Sequence, residues 1–578
     1  MKIRRPKNHR FDTEANRVYQ VPVSFFNNVR DQPMELFNMA YKFIRHHVDH
    51  EVPRLRELMD YYRAENDIKC WQGSDNPKNA HNQVATAFAR YITNIRVGYF
   101  VGNDIQYKVT ADDDNMKSIA DTLEQLVDQY NADSDSAYCD EMLKKDLSIM
   151  GRAYDMVYVN EGENTLNLAK IDPTTVFVVY DDSIKRRPLF AVRYYQTGIL
   201  DENLQERYEI YTDNKLYMYH SDGGVPETNS PVDNVILDQQ LPTFFGRVPI
   251  TEYFNNDERM GDWEPEIDQM DALDKAISTM ANFQEDFNDA AMVATGKFAN
   301  NSKPVYKTDE HGNRVLGKDG QPIEIEPAHP ILDPKMHMFY LEPYIAKTGI
   351  GQGERTVVTP SLQYITKQYD ANGWSTYTNF LINEIHKYTN TPNVNDPNFA
   401  SNASGVAMSY KLWGSDQERK IQESLFKKGL HNRLSCCVFY WNTSNALPGN
   451  NNDLNVIEKM IKPNLDPNLP KNDDATAQLI QTLSGIPDLF SQETLRELAE
   501  PITGVPADAE QQRIDDEREH SLDQDDLYQQ GGSGIGAIFA TGDKAVPGSQ
   551  VLDRKQTEQL KEKLKGDQQW RIKSGLTD

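Results

Sequence analysis

Residues 359–445 constrain the fold more than any other stretch, because two helix-length segments there flank a polar loop of about a dozen residues. In the first segment Tyr377, Leu381, Ile385 and Tyr388 recur at three- and four-residue steps, which keeps them on one face of a 3.6-residue helix. Thr359 and Pro360 suit an N-cap and first helical position, and Thr391 with Pro392 stops the helix, because proline lacks the amide and disfavours helical geometry before it. The loop PNVNDPNFASNA follows, rich in Asn and Pro with Phe399 as its one aromatic. The second segment brings Val406, Tyr410, Trp413, Ile421, Leu425, Leu430, Leu434, Val438 and Trp441 close to one stripe. At 1.5 Å per residue it spans roughly 55 Å, and Gly414 and Gly429 inside it predict a bend.

The flanking sequence reads as α+β. Residues 1 to about 110 are helical in pattern (Leu55, Leu58, Tyr61, Tyr62, then Val84, Phe88, Tyr91, Ile92, Ile95), with strand-like composition from 96 to 109. Helices at Ile119–Tyr130 and near Met142–Ile149 precede five β-rich runs between 150 and 256, which predict an antiparallel sheet backed by helices. A helix is predicted over 264–298 from Met270, Leu273, Ile277, Met280, Phe287 and Ala291, with Glu285, Asp286 and Asp289 on its other face. Between 300 and 357 the turns at 311 and 318 and five prolines break the chain into short strands. A strand candidate at 454–466 and helices at Ala475–Leu483 and Ser491–Leu498, the latter capped by Ser491, follow the long helix. After Gln530 the sequence is linker-like.

With 578 residues the chain has room for several cores. Its mean hydropathy is −0.70, and no window approaches the roughly eighteen apolar residues that cross a bilayer. Cys70, Cys139, Cys436 and Cys437 lack metal-ligand spacing, which predicts free thiols. A net charge of −27 disfavours tight wrapping of DNA, since phosphate binding needs clustered Lys and Arg. It suits a wall that lets DNA pass without holding it.

Chemical signatures are sparse. No G-x-x-x-x-G-K-[ST] loop occurs, and GSGIGA at 532–537 follows no buried strand, so no nucleotide site, cofactor or catalytic residue is expected. His46 and His50 share a helix face with His47 between them, but without the glutamate of H-E-x-x-H they read as a solvated surface, and no metal is expected.

The run NASGVAMSYKLWGSDQERKIQESLFKKGLHNRL at 402–434 resembles the "SGvAl-kykl" helix of siphophage-type portal proteins of tailed bacteriophages. LRELMDYYRAENDI with NQVATAFARYITNIRVGYFVGNDIQY resembles that family's opening, although Glu65 stands near where it often has glycine. FGRVPITEYFNNDERMGDWEPEIDQMDALDKAIS at 245–278 resembles the family's exit into the stem through Gly246, Pro249, Asn255, Asn256, Gly261, Asp262, Glu264 and Asp271. LIQTLSGIPDLFSQETLRELAEPITGVPADAEQQRIDDERE resembles its crown.

The resemblance implies an α+β portal fold. Its parts would be a wing (1–260), a stem helix (261–299), an α/β clip (300–357), a second stem helix (358–392), a tunnel loop (393–403), a long kinked helix (404–445), a helical crown (446–520) and an acidic, flexible tail (521–578). It implies a dodecameric ring at one capsid vertex of the virion, assembled in the host cytoplasm. Double-stranded DNA would enter through this ring, driven by a separate terminase ATPase, and leave through a head-tail adaptor. Major capsid and scaffolding proteins would be further partners, with no membrane involved. Asn393, Asn395, Asp396, Asn398, Phe399 and Asn402 would face the DNA, Lys411, Lys420, Lys427 and Lys428 are alternative phosphate contacts, and Glu285, Asp286 and Asp289 would line the wall. A scaffold or adaptor that binds only other proteins is the alternative left open by the hairpin and the acidic tail.

Overall fold

The computed structural model describes residues 9–71, 80–111, 116–160, 162–200, 202–222, 235–287, 291–295, 297–298, 304–326, 332–333, 338–339, 341–342, 344–347, 355–365, 370–394, 405–449, 453–468, 473–486 and 490–530. The chain divides into two compact units, Met1–Pro470 and Lys471–Asp578. In the first unit the helices are α1 (Val23–Val29), α2 (Pro33–His46), α3 (Val52–Tyr62), α4 (Phe88–Val101), α5 (Lys117–Asp133), α6 (Ser136–Met150), α7 (Ile267–Phe287), α8 (Ala371–Tyr388), α9 (Gly405–Thr443) and α10 (Leu454–Met460). The fold is α+β, as the sequence predicts.

The β-rich runs form two sheets rather than one. The larger has the order β1-β5-β6-β7-β8-β9, running from β1 (Tyr19–Val21) through β5 (Val176–Asp181), β6 (Pro188–Ile199), β7 (Glu202–Tyr211) and β8 (Lys215–Asp222) to β9 (Val235–Pro242). Only the β1–β5 pairing is parallel. The smaller sheet sets β3 (Arg152–Val159) between β4 (Leu166–Ile171) and β10 (Ile250–Phe254). Strand β5 is buried along its whole length, which accounts for its unbroken VFVVY run. Phe177 and Val179 pack under α2 with Leu36, Phe37 and Ile44, while Val176, Val178 and Tyr180 face Tyr154 and Ile250.

Four local expectations are corrected. Helix α4 continues through Val101, and only β2 (Gln106–Val109) is strand, paired with the strand Ile461–Asn464 that follows α10. Helix α7 ends at Phe287, and Ala291–Thr295 is strand β11, antiparallel to the strand Ser361–Ile365. Thr359 and Pro360 therefore sit between the strands Arg355–Val358 and Ser361–Ile365, and α8 starts later, where the Asp370 carboxylate accepts the Gly373 amide. His47 is buried and shares a 2.7 Å hydrogen bond with Tyr194, while His50 lies 2.7 Å from Asp12, so this is a packed junction and not a solvated histidine face. Burial pushes the His47 imidazole down to about 4.

All four cysteines are buried and none is paired in a disulfide. Leu447, Ile457, Met460, Ile461 and Leu465 join the core under α5 and α6, so the chain after α9 returns to the first unit before the second begins. In the second unit α11 (Asp473–Ser484), α12 (Gln492–Thr503) and α13 (Ala507–Gln530) follow one another, and the Ser491 hydroxyl caps α12 by accepting the Thr494 amide.

Candidate functional site

The predicted hairpin is built on two helices with different foundations. Helix α8 lies along α7, where Leu381 and Ile385 join Trp263, Ile267, Met270 and Leu273 in one core and the Trp374 indole donates to the Ala276 carbonyl at 3.1 Å. Helix α9, 39 residues long, is apolar where it enters the body through Phe426, Leu430, Leu434, Val438 and Trp441. Its first half instead presents Ser415, Arg419 and Gln422 inward, while Tyr410, Trp413 and Ile421 stay exposed and Leu425 is half-buried. The stripe expected from spacing is thus correct only toward the C-terminal end, because polar partners claim the inner face before it.

Those partners form two buried charge networks. The Gln422 amide donates to Asp262 at 2.8 Å, and Lys144 donates to Gln422 at 2.7 Å and to Asn255 at 2.9 Å. Burial opposes charge on Asp262, but Lys144, Arg96 and the Asn255 hydrogen bond outweigh it and hold the carboxyl below its ordinary value. One helical stretch further on, Arg433 pairs with Asp140 and lies 2.8 Å from Asp155. The Tyr253 hydroxyl donates to Asp155 at 2.7 Å and accepts from Arg433 at 3.0 Å. Burial pushes Asp155 up to about 6, against the pull of Arg433. Gly429 lies against the Tyr253 ring, where a Cβ would come within 2.3 Å of two ring carbons.

The near root of the polar loop is clamped. Arg96 of α4 donates to the Thr389 carbonyl and pairs with Glu418 of α9. The Ser415 hydroxyl donates to the Asn390 carbonyl, and the Asn390 amide donates to Glu418 at 3.0 Å. His386 meets the Thr391 carbonyl at 3.0 Å. The Tyr91 hydroxyl donates to the Pro392 carbonyl and accepts the Val394 amide, both at 3.2 Å. The point where the chain leaves α8 is therefore fixed to α4 and to Ser415 and Glu418 in the first half of α9.

Of the predicted loop residues only Asn393 is described, half-buried just past this clamp; Asn395, Asp396, Asn398, Phe399 and Asn402 lie outside the described residues. Glu285 is exposed near the end of α7, and its carboxylate accepts from Asn82 at 2.7 Å. Asp289 and the Asp286 side chain lie outside the described residues. Lys420 pairs with Asp416 at 3.0 Å and Lys427 with Glu423 at 2.6 Å, so both charges are compensated within α9; Lys411 and Lys428 are exposed. Sequence reasoning missed the clamp. A signal existed in Ile92, Arg96 and Phe100, four residues apart on one face, which put a cation in an apolar row. Among the described residues no group of three or more His, Cys, Asp or Glu is arranged for a metal, and no helix is long and apolar enough to cross a membrane.

The α+β body fastens the near root of a loop between an 18-residue helix and a 39-residue one. The chain belongs to the phage portal protein family: the family model described as "Phage portal protein, SPP1 Gp6-like" matches residues 41–523. It is 27% identical over 271 residues to the portal protein of Bacillus phage SPP1, an alignment covering 44% of this chain and 51% of that protein. The chain thus spans about half the length of this relative.

Proposed function

We propose that copies of this chain close into a ring, dodecameric in the virion, at one capsid vertex. Double-stranded DNA passes through that ring during packaging by a separate terminase ATPase, is retained, and leaves at infection. The ring also serves as the platform for a head-tail adaptor, with major capsid and scaffolding proteins around it. Residues 300–357 form the clip that meets the motor and later the tail.

The observation that best supports this reading is the clamp at Thr389–Val394, which holds the loop's near root against three helices while the loop itself has the Asn-rich, sequence-blind composition that suits sliding contact with a phosphate backbone. A net charge of −27 adds that a wall of such subunits repels phosphates over most of its area. With Lys420 and Lys427 compensated by their own helix, contact falls mainly to the loop's amides and asparagines.

Shortening the loop by removing Asn395–Ala400 tests this directly. Rings of the altered chain should assemble normally in negative-stain images, while filled heads in a packaging reaction fall at least tenfold. Normal yields of filled heads would assign DNA contact elsewhere, and wild-type particles without a central opening would remove the portal reading itself.

A further inference from the structure

The first half of α9 is built inside out. At about 100° per residue, Tyr410, Trp413, Gln417, Ile421 and Lys428 fall on one side of the helix and Ser415, Arg419, Gln422 and Phe426 on the other. The inner side is the polar one, satisfied by Asn390, Asp416, Glu423, Asp262 and Lys144. The outer side exposes Tyr410 at 78%, Trp413 at 64% and Ile421 at 64%. Tyr and Trp residues on a helix whose inward face is charged are not leftovers of a core; they form a separate apolar stripe.

A second, unlike apolar stripe lies on α8. Thr378, Leu381 and Ile385 face α7, and on the flank beside them Tyr377, Phe380 and Tyr388 are each roughly half exposed. With 150–250 Å² of surface per aromatic side chain, the α9 stripe offers about 450 Å² and the α8 flank about 350 Å². Each alone is as large as the largest apolar patch on a typical monomer, which is often functional, and the two together exceed it.

We infer that the α9 stripe of one copy packs on the α8 flank of the next, an inference that rests on the ring reading above. Laying one stripe on the other removes about 800 Å² of apolar surface from water. Interfaces are a little over half apolar, so the whole contact comes to about 1,400 Å², inside the range of stable protein–protein interfaces. The two stripes have different residues and belong to different helices, so the contact is heterologous: every copy uses one face as donor and the other as acceptor, and a chain of such contacts closes on itself when the rotation allows. A self-complementary patch would give dimers and stop there.

Two variants separate these cases. Tyr410→Glu with Trp413→Glu removes the α9 face, and Tyr377→Glu with Phe380→Glu removes the α8 face; all four side chains are exposed, so circular dichroism and melting of both variants should match the wild-type fold. Wild-type protein should form rings in mass photometry and negative stain. Each variant alone should stay monomeric at concentrations at least tenfold above the wild-type assembly midpoint, since buried Trp and Tyr anchors dominate such contacts. Mixed in equal amounts, the two variants should form a dimer and nothing larger, because only one intact pair of faces remains between them. Rings from either variant, or a mixture that stays monomeric, would overturn the inference while leaving the ring reading intact. Wild-type protein that forms no ring would instead remove the reading on which it rests. Quenching of Trp413 fluorescence by a DNA duplex, in place of a second copy, would assign the stripe to nucleic acid and also overturn it.

Discussion

Gly429→Ala should destabilise the protein even though alanine is the better helix former. In the interior of a helix the substitution gains about 1 kcal/mol of propensity. At this position the new methyl would stand 2.3 Å from Cδ1 and Cε1 of Tyr253, well inside contact distance. Tyr253 has no room to yield: it is fully buried, packs against Phe426 with the rings tilted at 40° and 5.1 Å between centroids, and is held at its hydroxyl by Asp155 and Arg433. Overpacking costs about 1–3 kcal/mol, and displacing the ring far enough to loosen its buried hydrogen bonds adds about 1–3 kcal/mol. The net loss is therefore about 3 kcal/mol. Gly414→Ala in the same helix is the control, because its nearest neighbour is the Asn390 side-chain oxygen at 3.3 Å and a small shift relieves it. That variant should be neutral or gain up to about 1 kcal/mol. With about 2.1 cal/mol/K of unfolding entropy per residue, a unit the length of Met1–Pro470 melts roughly 1 °C lower per kcal/mol, so calorimetry should show Gly429→Ala about 3 °C below wild type and Gly414→Ala level with it or above. Replacing Tyr253 by leucine in both the wild-type and Gly429→Ala chains completes a cycle whose coupling should be about 1–2 kcal/mol. Additive effects, or a Gly429→Ala chain as stable as the Gly414→Ala one, would refute the claim that the close approach of α9 to β10 is what demands glycine.

Other consequences follow from the clamp and the buried acids. Tyr91→Phe removes the hydroxyl that bridges Pro392 and Val394; hydrogen exchange at the Val394 amide should speed up at least tenfold while the global stability falls by no more than about 1–2 kcal/mol. Arg96→Met leaves Glu418 and the Thr389 carbonyl without their shared partner, and should cost about 3 kcal/mol in denaturant unfolding, more than Lys420→Met, whose exposed pair with Asp416 is worth about 0–1 kcal/mol. Asp146 is buried 2.7 Å from Lys170, and burial pushes its carboxyl up to about 6 from an ordinary value near 4. Between those values the native state binds more protons than the unfolded one, so this group's contribution is greatest below pH 4 and falls as pH rises through 6. The melting temperature of Asp146→Asn minus that of wild type should accordingly rise from pH 4.5 to pH 7.5, and a flat difference would show that the burial is not felt.

How far the sequence carried depends on whether the deciding contact is near or far along the chain. Helices α5, α6 and α12 and strands β5 to β8 form within the runs where local spacing predicts helix or strand. The end of α7 was not legible in the same way: Ala291 continues the helical spacing, but Ala291–Thr295 finds its partner at Ser361–Ile365, a pairing no local pattern announces. Thr359–Pro360 misleads for the same reason, since a proline between two strands loses no ladder hydrogen bond and looks like a helix start only until the strands are paired.

Helix α9 is the instructive case. Periodicity identifies its length, yet it cannot say which side faces inward, because that is settled by Arg96, Lys144 and Asp262 on other elements. Once those polar partners occupy the inner side, Tyr410, Trp413 and Ile421 are left on the outer one at an uncompensated cost of about 25 cal/mol per Å². A subunit that works alone would have no reason to keep that cost. In the ring proposed above, a subunit with a neighbour on each side would recover it at every contact, so the residues that look misplaced in one chain would be the ones that make sense in that assembly.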